Sequence, residues 1–263
     1  MNVGPVRPNG NHLARSATAP ALAAGRRPKR LSTNVADTLI ERIVSGSYVV
    51  GSQLPPEPAL VEEFEVSRPV IREAVKLLEA AHLVTIRQGD GTVICERSRW
   101  SMLDPRVLKV AVAYDLGDRL TNDATELRVE LEGALVAEAA PKLTDSDFSV
   151  MLVSLRMMDS SSDPNELQAA DIAFHGTYRQ RSGNELKSSI VRFLVDEMPP
   201  PAFAAADLRA MYDIANRQHW DLYHALREGR TADAVDAIAR HVRQNWTYRV
   251  ANEPAGPALS PPT

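Results

Sequence analysis

The sequence predicts a mainly α-helical chain in two parts: three helices and one β-hairpin near the N-terminus, then a bundle made only of helices. Three observations carry this. Apolar residues recur at helical spacing along most of the 263 residues; a single short stretch switches to β-branched runs about a glycine turn; and aromatics make up only 5%, so the cores must be built from Leu, Val, Ile and Ala. Hydrophobic residues at 44% and charged residues at 24% are ordinary for a globular protein, and the length suffices for two modest domains.

Residues 1–30, rich in Pro, Gly, Asn and Ala and ending in Arg26, Arg27, Lys29 and Arg30, read as a disordered basic arm, either a solvated tail or a contact for nucleic-acid phosphates. Asn34 is placed to cap a first helix whose buried face is Val35, Leu39, Ile40, Ile43 and Val44, ending near Gly46. Tyr48 to Pro56 is a turn-rich connection, and Glu57 to Phe64 a short second helix. A third opens at Ser67 and keeps helical spacing through Val70, Ile71, Ala74, Val75, Leu77 and Leu78; Pro69 falls in its first turn, where a missing N–H does no harm. Leu83 to Ile86 and Thr92 to Cys95 flank Gly89-Asp90-Gly91 as a hairpin. Three helices followed directly by such a hairpin make a winged helix-turn-helix over 31–97. After a linker at 98–104, helical patterns recur from 105 to 250, at about 105–114, 119–140, 144–159, 164–181, 184–198, 207–228 and 231–249. Pro141, Pro164, Pro199 to Pro201 and Gly229 supply the breaks, and the Pro-rich residues 251–263 read as a disordered tail.

Cys95 is the single cysteine, which excludes a disulfide framework and fits a reducing cytoplasm. No apolar run approaches the roughly 20 residues that span a bilayer, so a cytoplasmic protein without a membrane partner is expected. The run Ala19–Ala24 between Arg15 and Arg26 is too short for a secretory core. A net charge of −4 argues against indiscriminate coating of nucleic acid, because non-specific affinity comes from neutralising phosphates, but it allows a dimeric reader with a local basic face.

A helix-turn-helix presents the N-terminal end of its second helix to the major groove, where base edges are distinguishable. Here that end carries Ser67, Arg68, Pro69 and, one turn on, Arg72. Taken alone, arginines at a helix start are more often simply solvated. In the second part, Asp171 and His175 are four apart and share a helix face, while His219 and His241 each lie about ten residues from the tight turn at Gly229. Three imidazoles and one carboxylate suit Zn, Ni, Mn or Fe and leave positions for water or a ligand oxygen. Spacing alone favours the plainer alternative, an Asp171–His175 ion pair beside ordinary interior histidines. Trp220, Tyr223 and His224 are core or pocket wall.

The stretches Gly51-Ser-Gln-Leu-Pro-Pro-Glu57, Val66-Ser-Arg-Pro-Val-Ile-Arg-Glu-Ala-Val75, Leu77-Leu-Glu79, Leu83-Val84 and Gly89-Asp-Gly-Thr-Val93 resemble the GntR family of bacterial regulators. The resemblance implies that Ser67, Arg68 and Arg72 contact DNA and that Gly89 at the wing enters the minor groove. Pro58 and Asp90 depart from it, each standing where relatives often carry a basic or polar residue. Acidic residues also outnumber basic ones over 31–97, which argues against strong non-specific binding.

Glu126-Leu-Arg128 with Glu132, Ala170-Asp-Ile-Ala-Phe-His175, Gly183-Asn184, His219, Gly229 and His241 resemble the helical effector domain of the FadR subfamily, the FCD domain. This implies that Asp171, His175, His219 and His241 bind a divalent metal, Zn first, with Ni, Mn or Fe as alternatives. The fatty-acyl-CoA-responsive branch lacks that set, so a lipid effector is not expected. The resemblance also places Arg128 in the cavity, gripping an effector carboxylate; the plainer alternative is a salt bridge to Glu132. Arg99-Trp-Ser-Met-Leu-Asp-Pro-Arg-Val-Leu108 is similar to the corresponding stretch in repressors of sugar-acid catabolism, notably of galactonate.

The expectation is therefore a regulator and not an enzyme: a homodimeric repressor on a palindromic double-stranded operator, released by a small carboxylate such as a sugar acid. An effector-binding bundle that responds instead to another hydroxy or dicarboxylic acid is an alternative. A metal-dependent hydrolase is the rival from another class, although no H-E-x-x-H or similar element supplies a general base. An architectural DNA binder would leave the Asp and His set without a use.

Overall fold

The computed structural model describes residues 26–89, 91–114, 117–198 and 205–251; most of the expected arm, the tail from 252, Asp90 and Pro199 to Pro201 lie outside the described residues. Three helices, α1 (Arg26–Val44), α2 (Glu57–Phe64) and α3 (Arg68–Ala80), are followed by strands β1 (Val84–Arg87) and β2 (Gly91–Ile94). α1 starts about two turns before the expected cap, so the basic end of the supposed arm is helical and Asn34 is interior, its carbonyl accepting from Thr38 Oγ1 at 3.1 Å. The physical reason is that Pro28 falls in a first turn, where it is tolerated, and nothing from Arg30 to Thr33 stops a helix.

The hairpin is antiparallel, pairing Val84 with Ile94 and Arg87 with Gly91. The turn-rich connection before α2 adds an edge to it. Gln53 bridges Val93, Leu54 N–H donates to the Thr92 carbonyl at 2.8 Å, and Ile94 N–H donates to the Ser52 carbonyl at 2.9 Å. α1, α3 and the hairpin close over one apolar core that includes Leu39, Ile40, Ile43, Ile71 and Leu78.

The expected linker is not loose. Trp100 is buried in that same core, with its indole N–H donating to the Cys95 carbonyl at 2.9 Å. Asp104 then caps α4 (Pro105–Ala113), accepting from the Arg106 backbone N–H at 2.9 Å. Val107 of α4 belongs to the N-terminal core, whereas its neighbour Leu108 packs with Ala124, Leu194 and Met198 of the bundle. α4 was expected as the bundle's first helix; instead it joins both cores.

The bundle consists of α5 (Gly117–Ala139), α6 (Asp145–Ser160), α7 (Pro164–Ser182), α8 (Glu185–Glu197), α9 (Ala205–Arg227) and α10 (Thr231–Ala251). Local chemistry sets several of the ends: Thr144 and Asp147 form a capping box before α6, and Gly183 and Gly229 adopt the left-handed φ that closes α7 and turns α9 into α10. α10 packs along both α5 and α9, and α7 lies against α5 and α6, so the inner faces of α5, α7, α9 and α10 converge. No helix of the described residues is long and apolar enough to cross a membrane.

Candidate functional site

The N-terminal unit gathers its candidate residues on the surface. Ser67 precedes α3 with an extended backbone and its hydroxyl makes no cap hydrogen bond; it, Arg68 and Arg72 are exposed. Gly89 lies at the hairpin turn with φ +92°, a conformation that L side chains adopt only under strain. Arg72 is not loose: its Nε donates to both Glu57 oxygens, at 3.1 and 3.2 Å, across the α2–α3 turn. Both partners are exposed, so the pair adds little stability, but it aims the guanidinium. Glu57 was visible in the sequence as part of the motif; its role was not, because the contact needs α2 folded against α3.

The bundle does the opposite and places its candidates inside. Asp171 and His175 project from one face of α7, His219 from α9 and His241 from α10. The three histidines are buried, and their Nε2 atoms converge, His175 to His219 at 3.1 Å and His219 to His241 at 3.2 Å. Asp171 Oδ1 stands 3.7 Å from His175 Nε2 and 3.5 Å from His219 Nε2. Burial first, and then the neighbouring charges, hold all three imidazoles well below their usual pKa, which favours the neutral form with one bare ring nitrogen on each.

A metal–nitrogen bond of about 2.0–2.1 Å with tetrahedral angles sets ligand nitrogens about 3.3 Å apart, so the observed spacing fits a shared divalent cation. The donor atoms that lie together are those of the three histidines, a set that could hold a divalent transition metal without selecting one. Asp171 remains 33% exposed, whereas the three imidazoles are buried. It still has enough protein around it that desolvation pushes its carboxyl up to about 6, against the pull of Arg179 and Arg128.

Behind the histidines lies a layer that sequence reasoning largely missed. Glu132 of α5 is fully buried and takes Arg179 Nη2 at 2.7 Å and Nε at 3.2 Å, Arg128 Nη2 at 3.2 Å, and the Tyr178 hydroxyl. Burial alone would raise its carboxyl, but Arg179 and then Arg128 outweigh that and hold it well below the usual carboxylate range. Tyr178 also contacts His175 Nδ1 at 2.9 Å. Arg128 thus makes the salt bridge to Glu132 weighed as the plainer alternative, yet its Nε is buried without a hydrogen-bond partner. Tyr212 lies near Asp171, and burial with that negative charge raises its hydroxyl to about 12. Of the flanking aromatics, Trp220 and Tyr223 pack against the bundle core, and the His224 ring stacks on Trp220.

The chain matches two families in succession: residues 31–94 match the bacterial regulatory proteins of the gntR family, and residues 123–244 match the FCD domain. The galactonate operon transcriptional repressor of Escherichia coli (strain K12) is 35% identical over 219 residues, covering 81% of this chain and 93% of that protein. The HTH-type transcriptional repressor NanR of Edwardsiella tarda is 30% identical over 228 residues, covering 82% of this chain and 85% of that protein. Among solved structures, Lar, which controls the expression of the Listeria monocytogenes agr system, shares the fold with a TM-score of 0.52 at 20% identity, covering 85% of this chain and 98% of that one. The Streptococcus agalactiae GntR structure matches with a TM-score of 0.42 at 27% identity, over 82% of this chain and 99% of that one.

Proposed function

We propose, from the premise that this chain belongs to the gntR family of bacterial regulatory proteins and is a DNA-binding regulator rather than an enzyme, that it represses a carbohydrate-acid catabolic operon in the cytoplasm and is released by a small carboxylate. The observation that carries the sensing half is the convergence of three neutral imidazole nitrogens within 3.2 Å of their neighbours, beside the Asp171 carboxylate. Asp171, His175, His219 and His241 would hold a divalent cation, Zn before Ni, Mn or Fe. When bound, it supplies a Lewis-acid seat for a carboxylate or hydroxyl oxygen.

The chain's own residues provide the rest of the seat. Arg128 and Arg179 both pair with Glu132 and also act on Asp171, so these four side chains balance, and it is a divalent cation among the imidazoles that would supply the excess positive charge favouring an acidic ligand. Arg128 Nε, buried and unpartnered, is the donor available to grip that ligand's carboxylate. A sugar acid fits this seat and agrees with the galactonate-operon relative; another hydroxy or dicarboxylic acid is the remaining alternative.

On the DNA side, a homodimer presents two copies of α3 to a palindromic operator, with Ser67, Arg68 and Arg72 on base edges and phosphates and Gly89 in the minor groove. α4 supports communication between the halves, since Val107 and Leu108 sit in different cores. Moving such an equilibrium from nearly all bound to nearly all released requires the acid to prefer the released form by roughly 5.5 kcal/mol. The test is operator binding measured with sugar acids, dicarboxylates and fatty acyl-CoAs, with and without a chelator. Release by one acid that requires metal supports the reading; release by acyl-CoA, or release unaffected by chelation, overturns it.

A further inference from the structure

We propose that Tyr178 and Glu132 are positioning residues that lock His175 as its Nδ1–H tautomer, leaving its Nε2 lone pair facing His219 and His241. The inference rests on the metal-centre reading for its purpose but not for its evidence, which is a count of donors.

Both Glu132 oxygens are filled. Oε1 accepts from Arg179 Nη2 at 2.7 Å and Arg128 Nη2 at 3.2 Å, and Oε2 accepts from Arg179 Nε at 3.2 Å and from Tyr178. Guanidinium groups can only donate, and two of them enclose this one carboxyl group, so Glu132 is the anion and the acceptor throughout. The Tyr178 proton is therefore committed to Glu132. What remains on the Tyr178 oxygen is a lone pair, and its other neighbour is His175 Nδ1 at 2.9 Å. That contact is a hydrogen bond only if Nδ1 carries the proton, and a neutral imidazole with its proton on Nδ1 has a bare Nε2.

The consequence is local and chemical. With the opposite tautomer, His175 would turn an Nε2–H toward His219 Nε2, 3.1 Å away, and would have no lone pair there for a cation; with the lock it is the acceptor in that contact and the proton is His219's. Glu132 lies on α5 and Tyr178 on α7, so the lock also ties the ligand helix to its neighbour. His219 has no comparable anchor: its Nδ1 is buried without a hydrogen-bond partner.

Long-range 1H–15N correlation spectra of the full chain, metal-free and with labelled histidine, read the tautomer directly, with His175 assigned by the loss of its signals in His175→Gln. The wild type should show His175 protonated on Nδ1, and Tyr178→Phe, which keeps the ring and removes the relay, should shift it toward Nε2–H. Co(II) titration should then show about 10–100-fold weaker binding by Tyr178→Phe, and Glu132→Gln should act in the same direction if it folds. An Nε2–H His175 in the wild type, or a Tyr178→Phe protein with unchanged tautomer and Co(II) affinity within twofold, overturns the lock. If the wild type shows the expected tautomer but binds no Co(II), the lock stands and the metal reading falls.

Discussion

The two halves of the molecule use charge in opposite ways. Among the described residues, buried polar side chains of the N-terminal unit amount to Ser32, while the bundle buries Glu132, His175, His219 and His241 together with Asn216 and several hydroxyls. In the proposed DNA-reading role, Ser67, Arg68 and Arg72 can stay in water, because the phosphates would bring the charge opposite to that of the two arginines. A site that must recognise a small ligand has to fix its charges in advance, and burial makes each of them costly unless it is paired. The difference teaches where damage will show: as lost affinity in one half, as lost stability or lost sensing in the other.

The largest effect that sharpens this contrast is expected from Glu132→Ala, which strands Arg128 and Arg179 in the interior. It should lower folding stability by about 3–5 kcal/mol, read by urea denaturation. The pH dependence follows from the same group. Its folded pKa is depressed below the ordinary glutamate value of 4.5, so its contribution is present above that value and is lost as pH falls toward the lower folded value. Acid unfolding of the wild type should accordingly be steeper below pH 4.5 than that of Glu132→Gln.

His219→Ala comes next. It should lose metal affinity by more than the 10–100-fold typical of an outer-layer change, read by Co(II) titration, while operator binding persists. An equal loss of operator binding would break the separation between the halves. Arg68→Ala should cost about 1–3 kcal/mol of operator affinity and flatten its salt dependence, with folding stability changed by less than about 0.5 kcal/mol in the same denaturation assay. The smallest effect belongs to Glu57→Gln, which frees Arg72 from an exposed pair. A change of about 1 kcal/mol or less in operator affinity is expected, read by fluorescence anisotropy, with stability unaltered.

How far each half could be read from sequence follows the same division. The winged unit was legible because its elements are short and local: Pro69 inside a first turn, Gly89 and Gly91 about a hairpin, and apolar periods of two clear kinds. For the histidines, the four-residue spacing on α7 and the turn at Gly229 set relative heights on helices but by themselves favoured an ion pair beside ordinary interior histidines, and only the resemblance to the FCD domain implied a ligand set. Tyr178 and Arg179 were not legible, since one turn beyond His175 they look like any helix residues, and their partner Glu132 lies on another helix far back in the chain. Asn34 misled because a good capping residue is also tolerated inside a helix that has a reason to start earlier. Trp100 misled because only the folded core shows that a turn-rich, charged stretch is anchored by its indole.

In the proposed mechanism the buried histidine cluster, with a metal, is the sensor for an acid. A thermal-shift screen of the metal-analysed protein against sugar acids, hydroxy acids, dicarboxylates and fatty acyl-CoAs, repeated after chelation, tests it most directly. One class of small acid should stabilise the protein and lose that effect when the metal is removed; stabilisation that survives chelation, or a response to acyl-CoA alone, would rule out a metal-based acid sensor.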